Sequence, residues 1–239
     1  MISLSKEWAL LSRVMYGKEF ISELADFLKN HEAKTVLECG CGDGYILQGL
    51  AKKGLKGMGI DANPEMISMA KKKHLHPNVD YQQMDWLYLD KLETCFDAVI
   101  CRGNSLSYVA SWGRQKINPS QSKEKIQKSI GLFFQKLKQG GLLYADTISQ
   151  EELDRKGGII EIKGPEIDLK GKIEYDWHRK TRKISGSGKV GNEEFNGDSI
   201  SYLLTPKELE KIILSYKPSF VLHPRLSNER NYDILCAVK

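Results

Sequence analysis

Several features that would assign the chain to a broad class are scarce. The five cysteines, Cys39, Cys41, Cys95, Cys101 and Cys236, form no C-x-x-C pair, and their odd number argues against a disulfide framework. Small buried thiols in a reducing compartment are the expected state, with the cytoplasm as the default location. Residues 1–12 lack a long apolar core, so neither a signal peptide nor a membrane span is expected. Neither sign of charge dominates. Lys and Arg number 36 against 31 Asp and Glu, a net charge of +5, and the lysines are spread along the chain. That pattern is a solvated surface rather than the focused basic face of a nucleic-acid binder. No internal repeat, low-complexity tract or linker is present. At 41% hydrophobic and 28% charged, the 239 residues suit one soluble domain, or one domain with an insertion, and can bury a sizeable core.

What is present is concentrated in residues 35–61. The apolar pair Val36-Leu37 reads as a buried strand that meets an acid at Glu38. A glycine-rich turn follows, with Gly40, Gly42 and Gly44, and then a helical pattern through Ile46, Leu47 and Leu50, broken by Gly54. A second strand over residues 57–60 ends on Asp61. Glycines let backbone N–H groups approach a ligand, a helix N-terminus attracts negative charge, and an acid about 20 residues on suits a ribose diol. The residues alone leave a nucleotide-binding oxidoreductase or a plain β-α turn as competing readings.

The remaining elements follow in order. Trp8, Leu10, Leu11 and Val14 predict a first helix over residues 5–15. Phe20, Ile21, Leu24, Phe27 and Leu28 predict a second ending near Asn30. Residues 1–31 thus read as cap helices, with Tyr16 beside the Gly17 hinge either an active-site lid residue or a packing tyrosine. Asn63-Pro64-Glu65 starts a helix through Lys73, which places Ala62 and Asn63 near a bound ribose. A third strand, residues 79–84, precedes Asp85-Trp86. The pair is either an adenine site, with an acid for the exocyclic amine and an aromatic for the ring face, or a turn with a core tryptophan. A fourth strand, Phe96–Cys101, runs into Arg102-Gly103-Asn104-Ser105, Ser107 and Tyr108, at the carboxyl end where open sheets bind ligands. A long helix over residues 122–139 is expected to end at Gly140-Gly141, before a fifth strand over 142–145 and Asp146-Thr147.

Residues 158–204 look non-helical. Ile173, Tyr175 and Trp177 alternate, Arg179-Lys180-Thr181 suits a turn, and glycines and serines separate Ile184 from Val190. An inserted antiparallel sheet is expected over the cleft, with Tyr175, His178, Arg179 and Tyr202 as candidates to face an acceptor, and the surface favoured for His178. Thr205-Pro206-Lys207-Glu208 is a capped helix start, and residues 220–222 and 232–238 read as the last strands. His74 and His76 flank Leu75 without matching acids or thiols, so no metal is expected.

The turn V-L-E-C-G-C-G-D-G resembles the first motif of class I S-adenosylmethionine-dependent methyltransferases. Residues 86–90, the strand-loop F-D-A-V-I-C-x-G-N-S and the G-G-L-L strand resemble glycine N-methyltransferase and related small-molecule amine methyltransferases. This similarity covers residues 35–147. It implies an α/β fold: a Rossmann-like seven-stranded methyltransferase sheet, a single domain over 1–239, with a small antiparallel β lid at 158–204. It implies S-adenosyl-L-methionine as cofactor, held by Glu38, Gly40, Gly42, Asp61, Ala62, Asp85, Trp86 and Arg102. Tyr108, Asn104 and Tyr16 are then the catalytic set. The family's glycine-binding arginine after the fifth-strand Asp is missing here, since Thr147-Ile148-Ser149 follows Asp146, and Arg155 comes later. Glycine is therefore not the expected acceptor, and other amines on small metabolites, including amino sugars or guanidino compounds, stay open. O-methylation of a small carboxylate, phosphonate or hydroxyl compound is the alternative, and a non-catalytic cofactor binder a third. The expected partner is a small-molecule acceptor, with neither nucleic acid nor membrane, and a homo-oligomer is allowed.

Overall fold

The computed structural model describes residues 9, 12–13, 16–111, 117–165, 167–226 and 231–239. The helix expected over residues 5–15 lies outside the described residues, apart from Ala9, Ser12 and Arg13. Two sheets form. The larger has seven strands: β1 (Thr35–Cys39), β2 (Lys56–Asp61), β3 (Val79–Gln83), β4 (Phe96–Cys101), β5 (Leu137–Ile148), β10 (Phe220–Leu222) and β11 (Tyr232–Val238). Their spatial order is β10-β11-β5-β4-β1-β2-β3, parallel from β5 to β3, with β11 antiparallel to β5 and β10 antiparallel to β11. Strand order therefore reverses at β1 and β4, and a ligand crevice opens outside their carboxyl ends.

The apolar sequence of the central strands follows from burial on both faces. Val36, Ala98, Ile100 and Tyr144 face helices α1 (Lys18–Asn30), α2 (Tyr45–Lys52) and α3 (Pro64–Lys73). Their neighbours Leu37, Val99, Cys101 and Leu143 face α4 (Pro119–Lys136) and α6 (Pro206–Leu214). Helix α1 meets the sheet through Phe20, Leu24 and Leu28, all fully buried, and each contributes about 1.5–3 kcal/mol by leaving water. Asn63 starts α3 by accepting from the Glu65 N–H at 2.9 Å, with Pro64 at its first position.

One boundary differs from expectation. Helix α4 ends at Lys136, and Leu137 already pairs with Phe96. The register between β4 and β5 then shifts between Phe96 and Ala98, and Gly140, at φ +74°, takes the left-handed turn this irregularity requires. Gly140-Gly141 therefore lies inside β5 instead of capping the helix, because the strand pairing begins four residues upstream of Gly141.

The smaller sheet, β6 (Gly158–Gly164), β7 (Ile167–Asp176), β8 (Thr181–Val190) and β9 (Glu193–Tyr202), is an antiparallel meander placed after the short helix α5 (Gln150–Asp154). Register puts Ile173, Tyr175, Arg182, Ile184, Ser199 and Ser201 on one face. Ile173, Arg182 and Ser201 are buried there. The other face carries the exposed ion pairs Lys172–Glu174 at 2.8 Å and Lys183–Asp198 at 3.1 Å. β8 runs unbroken through its glycines, since Gly186 pairs with Gly171 in register. Among the described residues no helix is long and apolar enough to cross a membrane.

Candidate functional site

The β1–α2 turn is fixed to β2 by backbone. The N–H groups of Gly40 and Cys41 both donate to the Ile60 carbonyl, at 2.8 and 3.0 Å. Gly42 N–H donates to Asp61 Oδ2 at 2.9 Å, and Asn63 N–H to Oδ1 at 2.8 Å. Burial raises the Asp61 carboxyl above its ordinary value, against the pull of those two donors. Gly40 sits at φ +77°, and a Cβ there would meet Trp86 Cζ3 at 3.0 Å, so a side chain would fill the space between turn and indole.

Glu38, 1% exposed, lies beneath this turn. Its Oε1 accepts from Arg102 Nε at 3.0 Å, while its Oε2 is buried without a hydrogen-bond partner. Burial raises its carboxyl above the usual range, and the Arg102 guanidinium opposes this only in part. The same guanidinium covers the Tyr16 ring, 4.4 Å from its centroid. Tyr16 itself packs on Phe20 at 4.9 Å.

After β3, Asp85 caps a 3₁₀ turn, Trp86–Lys91, by accepting from the Leu87 N–H at 2.9 Å. The Trp86 indole donates from Nε1 to Ser129 Oγ at 3.0 Å and meets Phe133 edge to face, 6.2 Å between centroids. The ring is thus half core and half wall. The loop after β4 is held by Asp146 at the end of β5. Gly103 N–H donates to its Oδ2 at 2.8 Å and Asn104 N–H to its Oδ1 at 2.6 Å. Asn104, at φ +58°, accepts at Oδ1 from Ser107 Oγ at 2.6 Å and Thr147 Oγ1 at 3.2 Å. Tyr108 follows, its hydroxyl 3.4 Å from Ser199 Oγ of β9.

A cavity of about 180 Å³ joins these parts. Tyr16, Gly40, Gly42, Asp61, Ala62, Asp85, Trp86, Arg102 and Tyr108 all line it. Glu38 and Asn104 lie behind the lining, each 1% exposed. The strands of the smaller sheet add no lining residue among those described. His178 and Arg179 stand in the exposed turn between β7 and β8, and Tyr202 is buried with its hydroxyl on Glu208 Oε1 at 2.7 Å. Arg155 pairs with Glu151 at 2.6 Å on the surface.

Other residues were not expected here. Asp43, in the turn itself, receives Arg13 Nη2 at 2.8 Å and lies 3.4 Å from His74 Nε2. Burial opposes its ionisation, but hydrogen bonds from His74 and Arg13 outweigh this and lower its pKa. This ties the segment carrying Ser12 and Arg13 to the turn. Met66 and Tyr232 also line the cavity. Tyr232 opens β11 opposite Ile148, a position with no local sequence signal.

Residues 36–118 match the family described as a methyltransferase domain. A glycine/sarcosine N-methyltransferase of Parasynechococcus marenigrum is 26% identical over 136 residues, 56% of this chain and 44% of that protein. The glycine N-methyltransferase of Oryctolagus cuniculus is 27% identical over 220 residues, 84% of this chain and 69% of that protein. The chain spans about half the length of several curated relatives it matches. Among solved structures, Streptomyces venezuelae DesVI superposes with a TM-score of 0.77 at 16% identity, covering 100% of this chain and 99% of that one. The S-adenosylmethionine-bound CalS10, an amino pentose methyltransferase of Micromonospora echinaspora, gives 0.74 at 16% identity, covering 100% and 97%.

Proposed function

We propose that the chain is a class I S-adenosylmethionine-dependent methyltransferase, with S-adenosylmethionine as its cofactor, and that it methylates an amine nitrogen of a small metabolite. The observation that carries the cofactor part of this reading is the buried, unpartnered Oε2 of Glu38. A carboxylate oxygen withdrawn from water calls for a donor, and the cofactor brings an α-ammonium group that fits this need. The space above Gly40 fits the same ligand.

When bound, the cofactor supplies a methyl group activated by its sulfonium. The chain's own residues bind and align. Glu38 holds the ammonium. Asp61 accepts two backbone N–H groups and keeps lone pairs for a ribose diol. Asp85 takes the adenine amine, and Trp86, steadied by Ser129, covers the ring face. Ala62 and Arg102 complete this wall. Tyr16 and Tyr108 orient the acceptor and exclude water, while Asn104 holds the loop that carries Tyr108. A neutral amine attacks through its own lone pair and releases its proton to water, so alignment is the main requirement. A hydroxyl acceptor would need a base. Of the acids lining the cavity, Asp43 is paired with Arg13, and Asp61 and Asp85 are given to the cofactor. Relatives named for glycine and sarcosine, and a fold neighbour named for an amino pentose, support a nitrogen acceptor.

The test is turnover of S-adenosylmethionine with matched panels of small amines and small hydroxyl or carboxylate compounds, read by mass spectrometry. N-methylated product and released S-adenosylhomocysteine are expected. Exclusive O-methylation, or tight cofactor binding with no release on any acceptor, would sink the reading.

A further inference from the structure

Arg182 is the cation on the buried face of the smaller sheet, 8% exposed, with its Nε unpartnered. The groups around it are the phenols of Tyr108, Tyr232 and Tyr175, and Tyr175 hydrogen-bonds to it. The Tyr175 hydroxyl donates in turn to Glu152 Oε1 at 3.2 Å, so that acid meets Arg182 only through the phenol. Beside Arg182 in register lies Ser201, fully buried, whose Oγ also has no partner. The Nε–H of a guanidinium and a hydroxyl, side by side, dry and without a hydrogen-bond partner, are costly in a folded protein. Their shared complement is an oxyanion.

The position says where that anion comes from. Arg182 does not line the cavity, but Tyr108 and Tyr232 do, and both face it. We propose that Arg182 and Ser201 form a carboxylate-binding subsite behind Tyr108 and Tyr232, selecting amines whose carboxylate is set back from the nitrogen by several carbon atoms. A carboxylate matches a guanidinium fork in shape and in single charge. A phosphate monoester carries close to two charges and calls for a second cation. Because Arg182 is not in the lining and neighbours Tyr108 and Tyr232, which are, an acceptor whose carboxylate is well separated from its nitrogen is expected to span the two better than an α-amino acid. The subsite rests on the methyl-transfer reading for its role, though not for its affinity.

The experiment uses the full chain with 4-aminobutyrate, 5-aminovalerate, glycine, 4-aminobutyramide and O-phosphoethanolamine as probes. Calorimetry on the S-adenosylhomocysteine complex should show binding of the two longer amino carboxylates, with glycine, the amide and the phosphate ester weaker. Turnover should follow the same order. Arg182→Gln should raise KM for the longer carboxylates about 100-fold, the loss of one charge-assisted contact, and leave the amide unchanged. Arg182→Lys should recover part of the loss, and Ser201→Ala should raise KM about fivefold. A purely structural Arg182 would instead lower thermal stability and reduce all acceptors alike, which overturns the proposal. So does stronger binding of glycine or O-phosphoethanolamine, or no binding of either longer carboxylate to the wild type. Should Arg182→Gln not fold, Arg182→Lys and Ser201→Ala carry the same comparison. Arg182-dependent binding without turnover would remove the methyl-transfer reading and keep the subsite. Turnover indifferent to Arg182 would do the reverse.

Discussion

Burial takes the Glu38 carboxyl above the ordinary carboxylate range, and Arg102 draws it only part of the way back. Only the ionised form complements an ammonium. Cofactor affinity should therefore fall as pH drops through this raised value, earlier than an ordinary glutamate would allow. Calorimetry with S-adenosylhomocysteine from neutral pH down to about 4.5 checks this; an affinity flat over that range would refute the role given to Glu38. Glu38→Gln should bind about tenfold more weakly, with the pH dependence lost. Asp61→Ala removes the acceptor of two backbone N–H groups as well as the expected ribose partner. It should weaken cofactor binding about 100-fold while circular dichroism stays native, and unchanged affinity would remove Asp61 from the site. Residues such as these were legible in the sequence because each sits at the tip of a strand next to a turn with its own signature. Asp146 was visible as a strand end, but its grip on the Gly103 and Asn104 N–H groups was not, since that contact spans 43 and 42 residues.

Among elements, the opposite end of the sheet shows what holds β1, β4 and β5 in line. Asp97 at the start of β4 accepts from the N–H groups of Lys34 and Thr35, from Thr35 Oγ1, and from Lys138 Nζ at 2.7 Å. Burial works against its charge, but the bonds from Lys138, Thr35 and Lys34 prevail and hold its pKa at about 2. For a carboxyl depressed in the fold, this stabilisation is full above the unfolded value, about 3.9, and is lost as pH falls toward about 2. Asp97→Ala should cost about 1–3 kcal/mol in urea titrations at neutral pH, with the gap from wild type narrowing as the solution is acidified. An equal gap at both pH values would count against this account. Elements with two agreeing signals could be read from sequence, as with α3, where Asn63 and Pro64 fix the start and three lysines close the end. The α4–β5 junction could not. Leu137 suits a helix as well as a strand, and only pairing with Phe96 decides between them.

At the scale of the molecule, the two sheets meet the cavity unequally. The seven-stranded sheet supplies the turns around it, while the smaller sheet reaches it through Ser199 and Arg182 behind the tyrosines. Hydrogen exchange on adding S-adenosylhomocysteine should slow residues 38–45, 61–63 and 102–108 and leave β6 and β7 unchanged; equal protection of both sheets would contradict this division. The inserted sheet was legible as alternating strands. Its inward face was not, because alternation gives two faces and only the register with β8 and β9 puts Tyr175 beside Arg182 and Ser201. Arg13, clasped to Asp43, keeps the segment bearing Ser12 along the rim of the cleft. Parting of that clasp is expected to accompany departure from the cleft, and the tempo of the reaction cycle is expected to be set by departure and not by bond-making. Rapid-quench kinetics should then show a first burst of methylated product near one equivalent before a slower steady rate, and Arg13→Ala should shrink the burst while quickening the steady phase.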